Sequence, residues 1–227
     1  MEDAETVSVK VVLLGESGVG KTSIISQFTS NKFNPRCPTS VSAQFISKKI
    51  PFPEYSKIIK FDIWDTVGQE KYRSLAKIFY KDARIIIFVY DITTEFSFTA
   101  IKDFWYKETK ECADNEPLLA LAANKMDLYK DEQVKNEEGK QYADEIGAIF
   151  QNTSALSNSG IDKLFENLGK KFIDPSFDYK NPAASAKNKD GKKLNNKNLK
   201  NNGEKGGGNK IQLKNEKNGK KEGRKCC

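Results

Sequence analysis

Six short apolar runs in the first three quarters of the chain predict β-strands. The run at 7–15 first alternates and then becomes continuously apolar, as in a strand that is buried on both faces. The runs at 43–51 and 57–65 flank the sequence PFPEY, which predicts a hairpin. Further buried strands are predicted at 84–91, 118–123 and 149–153.

Apolar residues at helical spacing predict helices between these strands. One begins after Lys21, and others lie near 96–113, 134–147 and 160–173. Strands that alternate with helices favour an α/β domain with a mainly parallel sheet. The hairpin would add one antiparallel strand.

Charge is distributed unevenly along the 227 residues. The chain carries 38 Lys+Arg and 31 Asp+Glu, a formal net charge of +7. The segment 175–227 has fifteen basic and five acidic residues, whereas 1–174 has a net charge of −3. The basic segment consists mostly of Asn, Lys and Gly, and it has too little apolar surface to offset its conformational entropy. We therefore expect a folded domain at 1–174 and a disordered basic tail at 175–227.

Histidine is absent, which excludes Ser-His-Asp and Cys-His triads. The cysteines at 37, 112, 226 and 227 form no C-x-x-C pair, which favours a reducing compartment. The polar N-terminus is unlike a secretory signal. No apolar run approaches the 18 residues of a membrane span.

A glycine-rich loop follows the first predicted strand. Residues 15–22 read GESGVGKT, which matches G-x-x-x-x-G-K-[ST]. In this pattern backbone N–H groups form an anion nest, Lys21 neutralises the β- and γ-phosphates and the Thr22 hydroxyl binds Mg²⁺. An accidental glycine-rich turn is the alternative. The strand before the loop and the helix after it favour a nucleoside triphosphate site.

Two later motifs concern the base. Asn124-Lys125-Met126-Asp127 follows the fifth strand, and the Asp127 carboxylate can accept hydrogen bonds from N1–H and the 2-amino group of guanine. Adenine would leave this charge unpaired, which is costly. Thr153-Ser154-Ala155 follows the sixth strand, where backbone N–H groups could bind the guanine O6. Each motif alone is typical of an ordinary loop, and a P-loop ATPase is the alternative.

The sequence after the third strand, 65–70, reads DTVGQE. Asp65 at the end of a strand can hold Mg²⁺ through water. Gly68 can bring its N–H close to a γ-phosphate, and Gln69 can orient an attacking water. This motif predicts the hydrolytic part of the site.

The ordered set GESGVGKT, WDTVGQE, NKMD and TSA resembles a small GTPase of the Ras superfamily. YDIT after the fourth strand and the terminal Cys-Cys resemble the Rab family, and the stretch NKFN…TSVSAQFISKK resembles the endosomal Rabs. The resemblance covers about 7–173. It implies a P-loop NTPase G domain: an α/β fold whose six-stranded, mostly parallel sheet has one antiparallel strand and is flanked by about five helices.

The resemblance also implies which residues contact GTP or GDP. The phosphates would lie on Ser17, Gly18, Val19, Gly20, Lys21, Thr22 and Ser23. The base would lie on Asn124, Lys125, Asp127, Ser154, Ala155 and Leu156. Phe33 would pack on the guanine edge, with a core phenylalanine as the alternative.

Three positions depart from the family pattern. Ser40 stands where the family usually has the threonine that ligates Mg²⁺, and a one-residue slip that uses Thr39 is the alternative. The resemblance thus implies Thr22, Ser40 and Asp65 as metal ligands. Val67 replaces the usual alanine, and Leu156 replaces the usual lysine. We expect nucleotide binding, slow hydrolysis and altered exchange.

Hydrolysis would rest on Lys21 and Gln69. The family has no arginine finger in cis, so unaided turnover should be slow, near ~10⁻⁴ s⁻¹. The resemblance implies an activating protein, an exchange factor and effectors that act on a monomeric G domain. A nucleotide-binding scaffold with little GTPase activity is the alternative.

The effectors would contact an exposed apolar triad: Phe45, Trp64 and Phe79. The alternative is that all three are sheet and core residues. We expect Trp64 to be the most exposed of them.

The chain ends in Cys226-Cys227, which the resemblance marks as a site of double geranylgeranylation. It implies a prenylation escort protein, a dissociation inhibitor and attachment to the cytoplasmic face of endomembranes, endosomal or vesicular, with cycling through the cytosol. Two lipids with adjacent basic residues give stable anchoring. Nucleic acid is a competing partner for a basic tail, but the tail has no aromatic residue after Tyr179 on which bases could stack. We therefore expect a membrane and no nucleic acid.

Overall fold

The computed structural model of the chain describes residues 4–36, 44–66, 81–113 and 116–182. Six strands within these ranges form one sheet in the order β2-β3-β1-β4-β5-β6. Strand β2 runs antiparallel to β3, and the other neighbouring strands are parallel. This confirms the predicted sheet. The strands are β1 (Glu5–Leu14), β2 (Gln44–Phe52), β3 (Lys57–Asp65), β4 (Ile85–Asp91), β5 (Leu118–Asn124) and β6 (Ile149–Asn152).

Five α-helices lie in the described ranges, in agreement with the expected number. A π-helical turn, Ile101–Trp105, joins the second helix to the third, so the predicted helix at 96–113 is one rod with a widened middle. The helices are α1 (Lys21–Ser30), α2 (Glu95–Ala100), α3 (Tyr106–Cys112), α4 (Asn136–Glu145) and α5 (Ile161–Ile173). Short 3₁₀ turns occupy Pro53–Tyr55 and Met126–Asp131.

The sheet has a hydrophobic core on each face. Helices α1 and α5 cover one face, where Phe28 stacks on Phe165 with ring centroids 3.6 Å apart. The rod of α2 and α3, together with α4, covers the other face through residues such as Phe98 and Tyr142. Because both faces of its central strands are covered, β4 is buried at every position, which explains its continuous apolar sequence.

The carboxyl ends of the parallel strands meet at one edge of the sheet. Leu13 near the end of β1 pairs with Asp65, the last residue of β3. Asp91 of β4 pairs with Asn124 of β5. The chain passes from β1 to β2 and β3 on one side of it, and then from β3 to β4 on its other side. Ligands of such folds bind where the strand order reverses in this way. The loops at this edge carry the predicted motifs.

Two segments extend beyond their predicted limits. Strand β1 begins at Glu5 rather than at residue 7, because Glu5 pairs in register with Lys57 and their charged groups lie 3.6 Å apart. After α5, Phe177 is buried, and the Tyr179 hydroxyl lies 3.4 Å from the carbonyl oxygen of Ala148 at the edge of the sheet. These two residues, which the predicted boundary at 174 places in the tail, thus contact the domain. The boundary itself stays a prediction.

The chain divides into two units, Met1–Lys187 and Asn188–Cys227, and the second lies wholly outside the described residues. Among the helices of the described part, none is both long and apolar enough to cross a bilayer.

Candidate nucleotide site

The loop between β1 and α1 requires glycine at two positions. Gly15 has φ +145°, and a Cβ atom there would collide with the carbonyl oxygen of Val89 on β4. Gly20 has φ +99°, and a Cβ atom there would collide with Nδ2 of Asn124. The loop therefore passes too close to its neighbours for any side chain at these points. We call residues 15–22 the phosphate loop.

Lys21 is folded into this loop. Its side chain is buried, and Nζ donates hydrogen bonds to the carbonyl oxygens of Gly15 at 2.8 Å and Glu16 at 2.9 Å. Burial lowers the pKa of the ammonium to about 8, although the charges of Asp65 and Glu16 oppose the shift. Helix α1 begins at Lys21 and has no acidic residue in its first turn. The positive end of its dipole can therefore attract phosphate.

Thr22 and Asp65 meet beside the loop. The Thr22 hydroxyl donates a hydrogen bond to Oδ2 of Asp65 at 2.6 Å. The other carboxylate oxygen, Oδ1, is buried and has no hydrogen-bond partner in the described part of the chain. Burial raises the pKa of Asp65, and the Thr22 hydrogen bond and the Lys21 charge oppose the rise. An unsatisfied carboxylate oxygen beside a hydroxyl fits Mg²⁺, which prefers oxygen ligands.

Asn124 connects the phosphate loop to the loop after β6. Only 1% of its surface is exposed. Its Nδ2 donates to the carbonyl oxygen of Val19 at 2.8 Å, and its Oδ1 accepts from the Thr153 hydroxyl at 3.1 Å. The first residue of the NKMD motif thus holds two loops together.

Asp127 is oriented by the loop after β6. The Ser154 hydroxyl donates to Oδ1 of Asp127 and accepts from the backbone N–H of Ser157 at 3.1 Å. The second carboxylate oxygen of Asp127 stays available to a base. The backbone N–H of Ser154 donates to Ser159 at 3.0 Å, whereas that of Ala155 has no acceptor among the described residues. A free acceptor beside a free donor suits the guanine edge.

Lys125 has a partner that the sequence analysis did not assign. Its backbone has φ +65°, and Nζ lies 2.6 Å from Oδ2 of Asp91 at the end of β4. Asp91 ends a buried strand just as Asp65 does, and this similarity was the signal available in the sequence. The ion pair fixes the side chain of Lys125 along the wall of the site.

A cleft of about 410 Å³ joins the two halves of the site. Such a volume is typical of a small-molecule site. Phe33 lines the cleft and also packs on the first core, so both roles considered for it apply. Leu128, Asn34 and Pro35 line it without having been predicted. The other lining residues are Gly18, Gly20, Ser23, Asn124, Lys125, Asp127, Ala155 and Leu156.

A second groove, of about 640 Å³, lies between the α2–α3 rod and α4. It is larger than the cleft, but none of the predicted site residues lines it. Tyr142 and Lys102 do, and the Lys102 ammonium lies 3.2 Å from Glu138 across it. Of these two cavities, only the smaller cleft is lined by predicted site residues.

Part of the predicted site lies outside the described residues. These predictions concern Thr39, Ser40, Val67, Gly68, Gln69, Phe79, Cys226 and Cys227. Two members of the predicted effector triad are described, and their ring centroids lie 5.2 Å apart. Phe45 on the edge strand is 52% exposed, whereas Trp64 packs partly on the second core. The expectation that Trp64 would be the more exposed of the two is wrong, because β3 lies inside the sheet.

The model of the Ras family matches residues 10–174. The chain belongs to the Ras family. It is 43% identical to Ras-related protein Rab-21 of Bos taurus over 169 residues, which are 74% of this chain and 75% of that protein. It is 42% identical to RabJ of Dictyostelium discoideum over 164 residues, 72% of this chain and 63% of that protein. It is 38% identical to Rab-22A of Mus musculus over 179 residues, 79% and 89% of the two chains.

These matches identify this Ras-family chain as an endosomal Rab. It is a small GTPase that hydrolyses GTP to GDP and acts as a molecular switch in vesicular membrane traffic. Regulators and effectors accompany such a switch, which works at endosomal membranes.

Proposed function

We propose that the described cleft holds GTP or GDP with its phosphates on residues 17–23 and its base against Asp127. The observation that carries this proposal is the pair of loops fixed on each other by Ser154 and Asp127. This pair presents one carboxylate oxygen and the free N–H of Ala155 to the same ligand. Phe33 and Leu156, which line the cleft, flank the base.

The same site is proposed to bind Mg²⁺ through Thr22 and Asp65. The unsatisfied Oδ1 of Asp65 supports this assignment. Ser40, or Thr39 in the alternative register, would complete the protein ligands from outside the described residues. When bound, Mg²⁺ would neutralise charge on the phosphate oxygens.

Hydrolysis is proposed to depend on Lys21 and Gln69. Lys21 contributes positive charge to the phosphates, which spread negative charge in the transition state. Gln69 would orient the water, and the N–H of Gly68 would contact the γ-phosphate. The Thr66 hydroxyl donates to the carbonyl oxygen of Leu13 at 2.5 Å and so anchors the start of this segment on β1.

Single-turnover GTP hydrolysis tests these roles. Gln69→Leu should abolish most of the activity but preserve GDP affinity, since it removes the group that positions water. Gln141→Leu, an exposed position on α4 that lines the second groove and not the cleft, is the control and should keep both properties. An undiminished rate in Gln69→Leu would refute the assigned role.

Partner binding is proposed to follow the nucleotide. Effectors would contact Phe45, Trp64 and Phe79 in the GTP state, because the γ-phosphate orders the adjoining loops. An activating protein would add the missing transition-state charge, and an exchange factor would open the site. Phe45→Ala, which removes a 52% exposed ring, should weaken GTP-dependent effector binding and leave GDP affinity unchanged.

The tail is proposed to anchor the domain to membranes. Both Cys226 and Cys227 would carry a geranylgeranyl group, added with an escort protein and shielded in the cytosol by a dissociation inhibitor. The net charge of +10 in 175–227 would add about 1 kcal/mol per basic residue near an anionic leaflet. With this anchor the protein would reside on the cytoplasmic face of endosomal membranes and exchange with the cytosol.

Mass spectrometry of the C-terminal peptide from cells tests the anchor. We expect two added lipids on the wild-type chain and none on the Cys226→Ser/Cys227→Ser variant, which should remain in the cytosol. Recovery of the wild-type peptide in unmodified form would refute the proposal.

A further inference from the structure

A buried carboxylate lies within the phosphate loop. Glu16 is 8% exposed, and its Oε1 accepts a hydrogen bond from Nε1 of Trp105 at 3.0 Å. A negative charge here repels the phosphates and is costly to bury. None of the roles described so far uses this side chain. Any role of the Glu16 carboxylate is therefore one other than direct contact with the nucleotide.

The donor of this hydrogen bond is held rigidly. Trp105 is 1% exposed and ends the π-helical turn Ile101–Trp105. Its ring packs edge-on against Phe104 with centroids 5.0 Å apart. Protein cores are close-packed, so the indole N–H is a fixed point. π-helical turns inside helices often occur at functional sites. The Glu16 carboxylate thus ties the loop to the core beneath α2 and α3.

The other hydrogen bonds that hold the loop respond differently to a ligand. The Lys21 ammonium bonds the carbonyl oxygens of Gly15 and Glu16, but phosphates compete for its three donors. Asn124 holds the second half of the loop, residues 19–22, through the carbonyl oxygen of Val19. When Lys21 turns to the phosphates, the hydrogen bond of the Glu16 side chain to Trp105 still holds residue 16 in place.

We propose that Glu16 and Trp105 form a positioning pair that keeps the phosphate loop closed around bound nucleotide and so slows its release. The pair acts on release and takes no part in hydrolysis. This inference rests on the proposed placement of the phosphates in the loop.

Release of fluorescent N-methylanthraniloyl-GDP from the full-length chain tests the pair. Trp105→Phe removes the donor and keeps most of the ring volume, and Glu16→Leu removes the acceptor. A hydrogen bond to a charged group has an effect of about tenfold or more on an equilibrium or rate, so both variants should release GDP about tenfold faster. Tyr106→Phe, one residue along the same rod, is the control and should release it at the wild-type rate.

Glu16→Gln separates positioning from general damage to the fold. It keeps an acceptor oxygen for Trp105 but makes the hydrogen bond a neutral one, so GDP release should become faster by less than in Glu16→Leu. Trp105→Phe/Glu16→Leu should be no faster than either single variant, because both substitutions remove the same hydrogen bond. The single-turnover GTP hydrolysis rate of preloaded protein should be unchanged in Trp105→Phe, which alters no residue of the phosphate loop.

A wild-type GDP release rate in Trp105→Phe would overturn the pair. Additive increases of the release rate in the double variant would also overturn it. So would an increase in Glu16→Gln as large as that in Glu16→Leu. If the wild-type chain bound no guanine nucleotide, the placement of the phosphates would fail instead, and the two failures are thereby distinguished.

Discussion

The Ser154 hydroxyl donates a hydrogen bond to Oδ1 of Asp127, which links the loop after β6 to the loop after β5. The bond leaves the second carboxylate oxygen free and fixes its direction. Because the Ser157 N–H donates to the same hydroxyl, Ser154 cannot rotate without losing a partner. The geometry of the base pocket therefore depends on a serine that does not itself need to contact the base.

Removing this serine hydroxyl should weaken nucleotide binding. Hydrogen bonds to charged groups contribute about 1.5–3 kcal/mol, so Ser154→Ala should raise the Kd for GDP about tenfold or more. Ser157→Ala is the matched control, because only its backbone N–H takes part. Fluorescence titration measures both. Equal affinities of Ser154→Ala and wild type would contradict the role of the hydroxyl.

A methyl group at Gly20 should damage both the fold and the site. Gly20→Ala combines a left-handed φ with a collision against Asn124, and such strain costs about 1–3 kcal/mol. We expect a lower melting temperature and little nucleotide binding.

Gly147→Ala provides the comparison for Gly20→Ala. Its φ is also left-handed, at +68°, but a Cβ atom there would meet nothing within 4 Å. It should lose stability and keep GDP affinity once folded. Similar losses of affinity in the two variants would show that contact with Asn124 is unimportant.

Nucleotide affinity should depend on pH through Lys21. Burial lowers the pKa of Lys21 to about 8 in the free protein, and phosphate binding requires the charged ammonium. Above this pKa the free state has lost the proton and the bound state holds it, so binding takes up a proton. The Kd for GDP should then rise with pH above about 8, by at most about tenfold per pH unit.

Lys21→Arg is the control for this pH dependence. Arginine remains charged throughout, so the variant should bind more weakly but with no rise of Kd between neutral and mildly alkaline pH. The same slope in wild type and Lys21→Arg would assign the titration to another group.

Metal removal should speed nucleotide release through Asp65. A chelator should raise the GDP release rate of the wild type by at least about tenfold, since a divalent ion stabilises phosphate charge by several kcal/mol. In Asp65→Asn the chelator should have much less effect, because release is already fast. Asp62→Asn on the same strand, where Asp62 accepts from the Ser47 hydroxyl at 2.6 Å, should respond like wild type.

The sheet was predictable because strands that are buried on both faces have continuous apolar sequences. Strand β4 consists of seven buried residues, and the runs that became β2 and β3 are separated by a proline-containing turn. The solvent exposure of individual side chains on the sheet was less predictable. Phe45 and Trp64 look alike in sequence, and only the strand order reveals that β2 is the edge strand and β3 is covered.

The motif residues of the site were predictable because short loops at strand ends must face one edge. Their supporting partners were not. Trp105 lies 89 residues from Glu16, and the ion pair of Asp91 with Lys125 also joins distant segments. Local spacing carries no information on such contacts, which depend on how helices and strands pack together.

Base recognition by Asp127 is the central claim, and competition against N-methylanthraniloyl-GDP tests it most directly. GDP should displace the probe from wild type at least about a thousandfold better than ADP, since a site built to pair with a polar group rejects an analogue without it. Asp127→Asn should lose affinity for GDP and gain affinity for xanthosine diphosphate, whose C2 carbonyl accepts from the new amide. Equal competition by ADP and GDP on wild type, or an unchanged preference for GDP in Asp127→Asn, would contradict the account.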